Sequence, residues 1–288
     1  MTSGTNGSDS KKPTQGKRLW QKAFKALKTG ETTFDEPFHL FSGEAHPDPV
    51  IHRNGGRYVD CGGKRLVIFN FLGKQFSCQD LSSTDNTGNA RLWLSEECLA
   101  YYIVKQAHNV SFHAKFANRR ILELGSGKTG LAGLCAANYP GTTVHITDGN
   151  VKAVENVQRI VEENGLDNVE AYRLDWTRPP QSVEKFDVIV ASDCVYFERY
   201  HCIIDCMEQM LTEMGTVYMA APYRKGSLEA FLSKVDPKKW EYVLVEHPDW
   251  CSAIEKLRTG GMKHGSPTEF NEDLHLPRLV ILRRVICQ

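Results

Sequence analysis

The chain has 288 residues, 41% of them hydrophobic, and its 35 basic side chains are matched by 35 acidic ones. That length suits one large domain or two small ones with a real core, while a formal charge of zero excludes a general field for nucleic acid or an anionic membrane. No apolar run approaches the roughly 20 residues of a membrane span, and the N-terminus shows no apolar signal core. Nine scattered cysteines without a C-x-x-C pair read as reduced core thiols, which predicts a cytosolic address, with the nucleus also open, and no metal centre.

Residues 1–16 carry no apolar side chain beyond the initiator. They cannot offset the entropy of ordering, so a disordered tail is expected. Leu19, Trp20, Phe24 and Leu27 then recur at helical spacing beneath a basic face and predict an amphipathic helix over 17–27. The segment 31–54 has no period and reads as irregular. Between Arg57 and Cys78 apolar alternations are broken by Gly62-Gly63 and Gly73, which signals a β-hairpin. A turn cluster at Asp85–Asn89 leads through Trp93 to a helix expected to be capped by Ser95, with Glu96 and Glu97 at the positive end of its dipole and an end near His108.

The stretch 119–150, RRILELGSGKTGLAGLCAANYPGTTVHITDGN, organises the rest of the chain. Ile121–Leu124 is a short apolar strand entering a turn with Gly125, Gly127 and Gly130; Leu131, Leu134 and Cys135 continue as a helix that stops at Pro140-Gly141. A second strand, 143–147, ends on Asp148. Gly127-Lys128-Thr129 ends like a phosphate loop, but the first glycine of that motif falls on Leu122, inside the strand. The spacing G-x-G-x-x-G is also that of a dinucleotide site. Glu123, two residues before the first glycine, argues for a positively charged ligand without a pyrophosphate; S-adenosylmethionine fits that description, with Asp148 accepting from its ribose hydroxyls. A dinucleotide enzyme stays open at this point.

Val154, Val157 and Val161 predict a helix over 151–164 stopped by Gly165. The strand after it leads to Asp175-Trp176, an acid and an indole that can bond an adenine amino group and cover its ring. Phe186–Ala191 is a continuous apolar run of the buried parallel type, and it delivers Ser192-Asp193-Cys194-Val195-Tyr196 to the carboxyl edge, where doubly wound sheets bind ligands. Beyond it lie a helix over 201–211, a strand over 215–221 ending at Pro222-Tyr223-Arg224, a helix over 228–235 and a strand over 240–245. Residues 249–276 read as a long polar insertion before a last strand, 278–287.

With Glu123, Asp148, Asp175-Trp176 and the Asp-x-x-Tyr sequence Asp193–Tyr196 in place, the chain resembles the seven-β-strand protein-lysine methyltransferases. Within that family the segments 83–102, 146–150 and 273–282 are similar to those of members that act on calmodulin. The resemblance implies an α/β fold: a Rossmann-like seven-stranded class I methyltransferase sheet with an antiparallel last strand, over 83–288, preceded by a helix and β-hairpin extension over 17–82. It implies methyl transfer from S-adenosyl-L-methionine to a lysine of calmodulin, up to trimethyllysine, by a monomer needing no metal, nucleic acid or membrane. Trp93, Glu123, Gly125, Ser126, Gly127, Asp148, Asn150, Asp175, Trp176 and Ser192 would hold the cofactor. Asp193 and Tyr196 would be catalytic, Asp193 orienting the lysine amine and Tyr196 facing the growing methylammonium. Calmodulin is acidic, so the basic N-terminal helix and Lys256, Arg258 and Lys263 are candidate docking charges.

Overall fold

The computed structural model describes residues 39–41, 43–69, 92–181, 184–196, 200–259 and 270–286. The expected tail, N-terminal helix, Asp85–Asn89 turn and Lys263 lie outside these residues. Within 39–54, expected to be irregular, a strand β1 (Gly43–Ala45) and a short helix α1 (Pro49–Arg53) form. Asp48 caps that helix by accepting from Val50 and Ile51. The hairpin is β2 (Gly56–Asp60) against β3 (Arg65–Phe69), with β1 antiparallel on its outer edge. Its turn spans Cys61–Lys64, closed by Cys61 N–H donating to Lys64 O at 2.9 Å. Both glycines there have positive φ.

The main sheet has seven strands: β4 (Arg120–Leu124), β5 (Thr143–Asp148), β6 (Val169–Arg173), β7 (Phe186–Ser192), β8 (Leu211–Ala221), β9 (Trp240–Val245) and β10 (Arg278–Arg284). Their order is β6-β5-β4-β7-β8-β10-β9. Strands β4 to β8 pair in parallel, and β10 inserts antiparallel between β8 and β9. This is the Rossmann-like sheet with an antiparallel last strand. The chain leaves β4 toward β5 on one side and returns through β7 on the other, so a cleft opens between these strands at the carboxyl edge.

The helices are α2 (Leu94–Lys105), α3 (Val110–Phe116), α4 (Leu131–Ala136), α5 (Val151–Glu163), α6 (Tyr200–Met210), α7 (Ser227–Leu232), α8 (Trp250–Thr259) and α9 (Glu272–His275). Strand alternation sorts the core into two layers. Ile121, Val144, Val188 and Val190 pack with Leu99 and Ile103 of α2 and Leu131 and Leu134 of α4 on one face. Leu122, Leu124, Ile189 and Val217 pack with Ile203 and Met207 of α6 and Phe231 of α7 on the other. Burying an aliphatic side chain contributes roughly 1.5–3 kcal/mol, and covering both faces explains why β7 reads as an unbroken apolar run. The hairpin joins the first layer through Val59, Leu66 and Ile68 and is tied to α5, where Asn164 accepts from Val67 N–H and donates to Val67 O.

Two expectations change here. The helix α2 begins two residues earlier than a Ser95 cap allows: Trp93 is its N-cap in extended backbone, with no side-chain cap bond, and Ser95 lies buried inside the first turn. Its acids turn inward, because neighbouring segments present unpaired N–H groups at that end. The supposed polar insertion begins as α8, whose Trp250 and Ile254 are buried, Trp250 donating its indole N–H to Pro277 O at 3.0 Å. One apolar stripe along a polar helix was enough to anchor it.

Candidate active site

All the sequence-selected residues lie at or near the carboxyl ends of β4, β5, β6 and β7, or at the start of α2. The turn after β4 places Gly125, Gly127 and Gly130 at φ values of 65°, 58° and 61°, the left-handed region that glycine enters without strain. At Gly125 a methyl group would also stand 2.7 Å from Cys194 Sγ and 3.1 Å from the Trp176 ring. The turn is stitched to β5: Ser126 N–H donates to Thr147 O at 2.9 Å, and Gly127 N–H to Asp148 Oδ2 at 3.0 Å. Asp148 Oδ1 accepts from Asn150 N–H at 2.7 Å. Asp148 is thus fixed at the cleft floor.

Glu123 is only 1% exposed, on the sheet face covered by α2 and α4. Its Oε2 accepts from Gly133 N–H at 3.0 Å, while Oε1 is buried without a hydrogen-bond partner among the described residues. Burial pushes its carboxyl well above the ordinary range, and the neighbouring Glu96 and, more weakly, Asp148 push the same way against the Gly133 bond. Glu96 itself, buried under the turn, accepts from the Thr129 hydroxyl and from Leu131 N–H at 2.9 Å; burial pushes it up to about 7 despite those bonds. Asp148 therefore supplies the negative charge at the glycine turn, while Glu96 and Glu123 beneath it are held toward their neutral, protonated forms. A cation gains there and a pyrophosphate would be repelled.

Trp176 stands beside Gly125 with its Nε1 buried and without a hydrogen-bond partner among the described residues. Asp175 differs: it is exposed, and its Oδ1 accepts from both the N–H (2.9 Å) and the hydroxyl (2.7 Å) of Thr177, which holds its carboxyl below the ordinary value. The structure spends that side chain on a local turn. Asn150 likewise caps α5, its Oδ1 accepting from Lys152 and Ala153.

At the end of β7, Ser192 is buried and Asp193, 8% exposed, adopts φ 54°, a left-handed conformation on a non-glycine residue. Asp193 N–H donates to Ala220 O at 2.8 Å, and its Oδ2 accepts from Arg224 at 2.6 Å. The Arg224 guanidinium lies 5.5 Å from the Trp93 ring centre and 5.8 Å from that of Tyr196, within cation–π range. Burial and then Asp193 hold the Tyr196 phenol well above its ordinary value, so it stays neutral. A carboxylate and two aromatic rings thus already surround a cation.

A family model described as lysine methyltransferase matches residues 77–238. The chain belongs to the lysine methyltransferase family. It is 35% identical over 191 residues to the calmodulin-lysine N-methyltransferase of Arabidopsis thaliana, covering 60% of each chain. To the protein-lysine N-methyltransferase EFM2 of Saccharomyces cerevisiae it is 33% identical over 219 residues, 68% of this chain and 52% of the relative. The chain thus spans between half and two thirds of the length of these relatives. The crystal structure of SMU.776 complexed with SAH superposes with a TM-score of 0.51 at 13% identity over 80% of this chain and 56% of that one, which shows the shared fold.

The cofactor of this family is S-adenosylmethionine, and the buried polar atoms fit it. The orphaned Glu123 Oε1 and Trp176 Nε1 flank a turn too narrow for a side chain at Gly125, beside the Asp148 carboxylate, which suits a cationic, phosphate-free ligand. Two residues of the site escape a reading of the sequence: Glu96, which looks like a solvent-facing dipole acid, and Arg224, which looks like a mere strand-end residue. The signal for Glu96 was its place in the first turn of a helix that continues with the apolar run Cys98-Leu99-Ala100.

Proposed function

We propose that this chain transfers methyl groups from S-adenosylmethionine to a lysine of calmodulin, up to trimethyllysine. The observation that carries the reading is the arrangement of Asp193, Tyr196 and Trp93 around a cation beside the glycine turn. The sulfonium supplies a reactive methyl and a good leaving group, so the protein's work is positioning. Trp93, Glu123, Gly125, Ser126, Gly127, Asp148, Trp176 and Ser192 hold the donor, Asp148 at its ribose hydroxyls. Asp193 accepts a hydrogen bond from the lysine amine and aims its lone pair, and the ring of Tyr196 faces the charge that grows on nitrogen. Calmodulin is favoured by the Arabidopsis relative, whose name carries it. Lys256 on α8 offers a positive charge for an acidic substrate, whereas Arg258 is shared with Glu255 and Glu272.

A second reading, another protein lysine, is favoured by the similarity to EFM2 and to the protein-lysine N-methyltransferase rrg1 of Schizosaccharomyces pombe, 34% identical over 122 residues. Incubation with unmethylated calmodulin and isotopically labelled S-adenosylmethionine, then peptide mapping, separates the two. Label on a calmodulin lysine is the expected result. Unlabelled calmodulin beside another labelled protein of a cell extract would favour the second reading.

A further inference from the structure

The pairing of Asp193 with Arg224 raises a chemical problem that it also solves. Methyl transfer needs a neutral amine: its lone pair forms the new N–C bond as the C–S bond breaks, the sulfur keeping the C–S bonding pair. An isolated, largely buried carboxylate beside a lysine does the opposite. An opposite charge within about 4–6 Å raises an amine's pKa by roughly 1–3 units and holds it as the non-nucleophilic ammonium. Arg224 already occupies one oxygen of Asp193, and two donors on one carboxylate stand within about 6 Å of each other. The guanidinium therefore cancels much of the field that Asp193 exerts on its second partner.

Building this geometry takes backbone strain. Arg224 and Lys225 have φ values of 45° and 58°, consecutive non-glycine residues in the left-handed region that cost energy unless their surroundings impose them. Asp273 imposes them: Arg224 N–H donates to Asp273 O at 2.7 Å, and Lys225 N–H to Asp273 Oδ2 at 2.9 Å. The guanidinium is thereby aimed past Trp93 and Tyr196 at Asp193 rather than into solvent. Among the described residues, the titratable and charged groups that face this corner are Asp193, Cys194 and Tyr196 after β7, Asp148 at the end of β5, Glu123 behind them on β4, and Arg224 after β8.

We infer that Arg224 is a positioning residue that acts through Asp193, keeping the acceptor pocket close to electrically neutral so that lysine enters it as the free amine. The inference rests on the proposed role of Asp193. The lysine loses its proton to solvent before attack, and each methylammonium product must lose one again before the next transfer. Without Arg224 the pocket would retain the ammonium.

The test is the pH dependence of transfer to unmethylated calmodulin by R224M and R224K, with thermal midpoints to confirm folding. For R224M the alkaline rise of kcat moves up by about one pH unit, so that kcat near neutrality falls about tenfold while KM is unchanged or lower; R224K restores the wild-type profile. A second measurement needs no protein substrate. n-Butylammonium titrated into the S-adenosylhomocysteine-loaded enzyme at neutral pH binds R224M about tenfold more tightly than wild type. A uniform loss with an unmoved pH midpoint, a faster R224M, or equal or weaker n-butylammonium binding would overturn the inference. D193N separates this from the underlying reading: if D193N is inactive while R224M keeps the wild-type pH midpoint, the role of Arg224 alone falls. If D193N turns over normally, the role of Asp193 itself falls.

Discussion

At the cofactor half of the cleft, left-handed backbone falls on Gly125, Gly127 and Gly130, whereas at the acceptor half it falls on Asp193, Arg224 and Lys225. Glycine adopts that conformation freely, and the turn after β4 is fixed by bonds to Thr147 O and the Asp148 carboxylate, with Glu96 of α2 bonding Thr129 and Leu131 beneath it. Each non-glycine residue there costs about 1–2 kcal/mol, and the acceptor half meets that cost with side chains drawn from far along the chain: Lys225 and Asp273 are 48 residues apart. One half thus rests on glycine conformations that carry no strain. The other is assembled by tertiary contacts, where substrate selection can change without disturbing donor binding.

Asp193→Asn should break the acceptor half most severely. Asparagine tolerates the left-handed backbone, so folding persists, but turnover should fall about a thousandfold, about 4 kcal/mol in the barrier, as measured by labelled-methyl transfer. At the cofactor half the largest effect concerns Glu96. Its carboxyl, near 4.5 when unfolded, rises to about 7 in the fold. Between those values the folded state keeps a proton that the unfolded state has lost, so stability is greatest below about 4.5, falls as pH rises toward about 7, and levels off above it. The loss is about 3 kcal/mol, and E96Q should remove that share of the slope in urea unfolding across pH while Glu123, shifted the same way, leaves a residue.

Gly125→Ala adds both a left-handed alanine and a methyl group 2.7 Å from Cys194 Sγ. It should destabilise the fold by about 2 kcal/mol, read by denaturant midpoint, and weaken donor binding in parallel. Asp273→Ala removes only the exposed bond to Lys225 N–H. It should cost about 0.5–1 kcal/mol and slow transfer severalfold without changing donor affinity, a small effect confined to the acceptor half.

The same contrast explains how much was legible in the sequence. The glycine turn, Asp148, the Trp176 position and the Asp193–Tyr196 motif come directly after strands whose apolar runs are unmistakable, and strand ends in a doubly wound sheet share an edge. The antiparallel last strand was legible in the insertion that precedes it. Arg224 and Asp273 escaped notice because nothing local links them; only the antiparallel return of β10 beside β8 brings α9 against the end of β8. At Asp175 the sequence did not show the local turn, in which Oδ1 accepts from the Thr177 N–H and hydroxyl. Ser95 was a sound cap by composition, but the helix had already begun at Leu94.

The separateness of the two halves is tested most directly by titrating S-adenosylhomocysteine calorimetrically into wild type, W176A and D193N. Loss of the indole that stands beside Gly125 should weaken binding about tenfold or more, while D193N should bind within about twofold of wild type. Equal weakening in both variants would contradict the account, because it would make Asp193 part of the donor site and leave the acceptor half without its carboxylate.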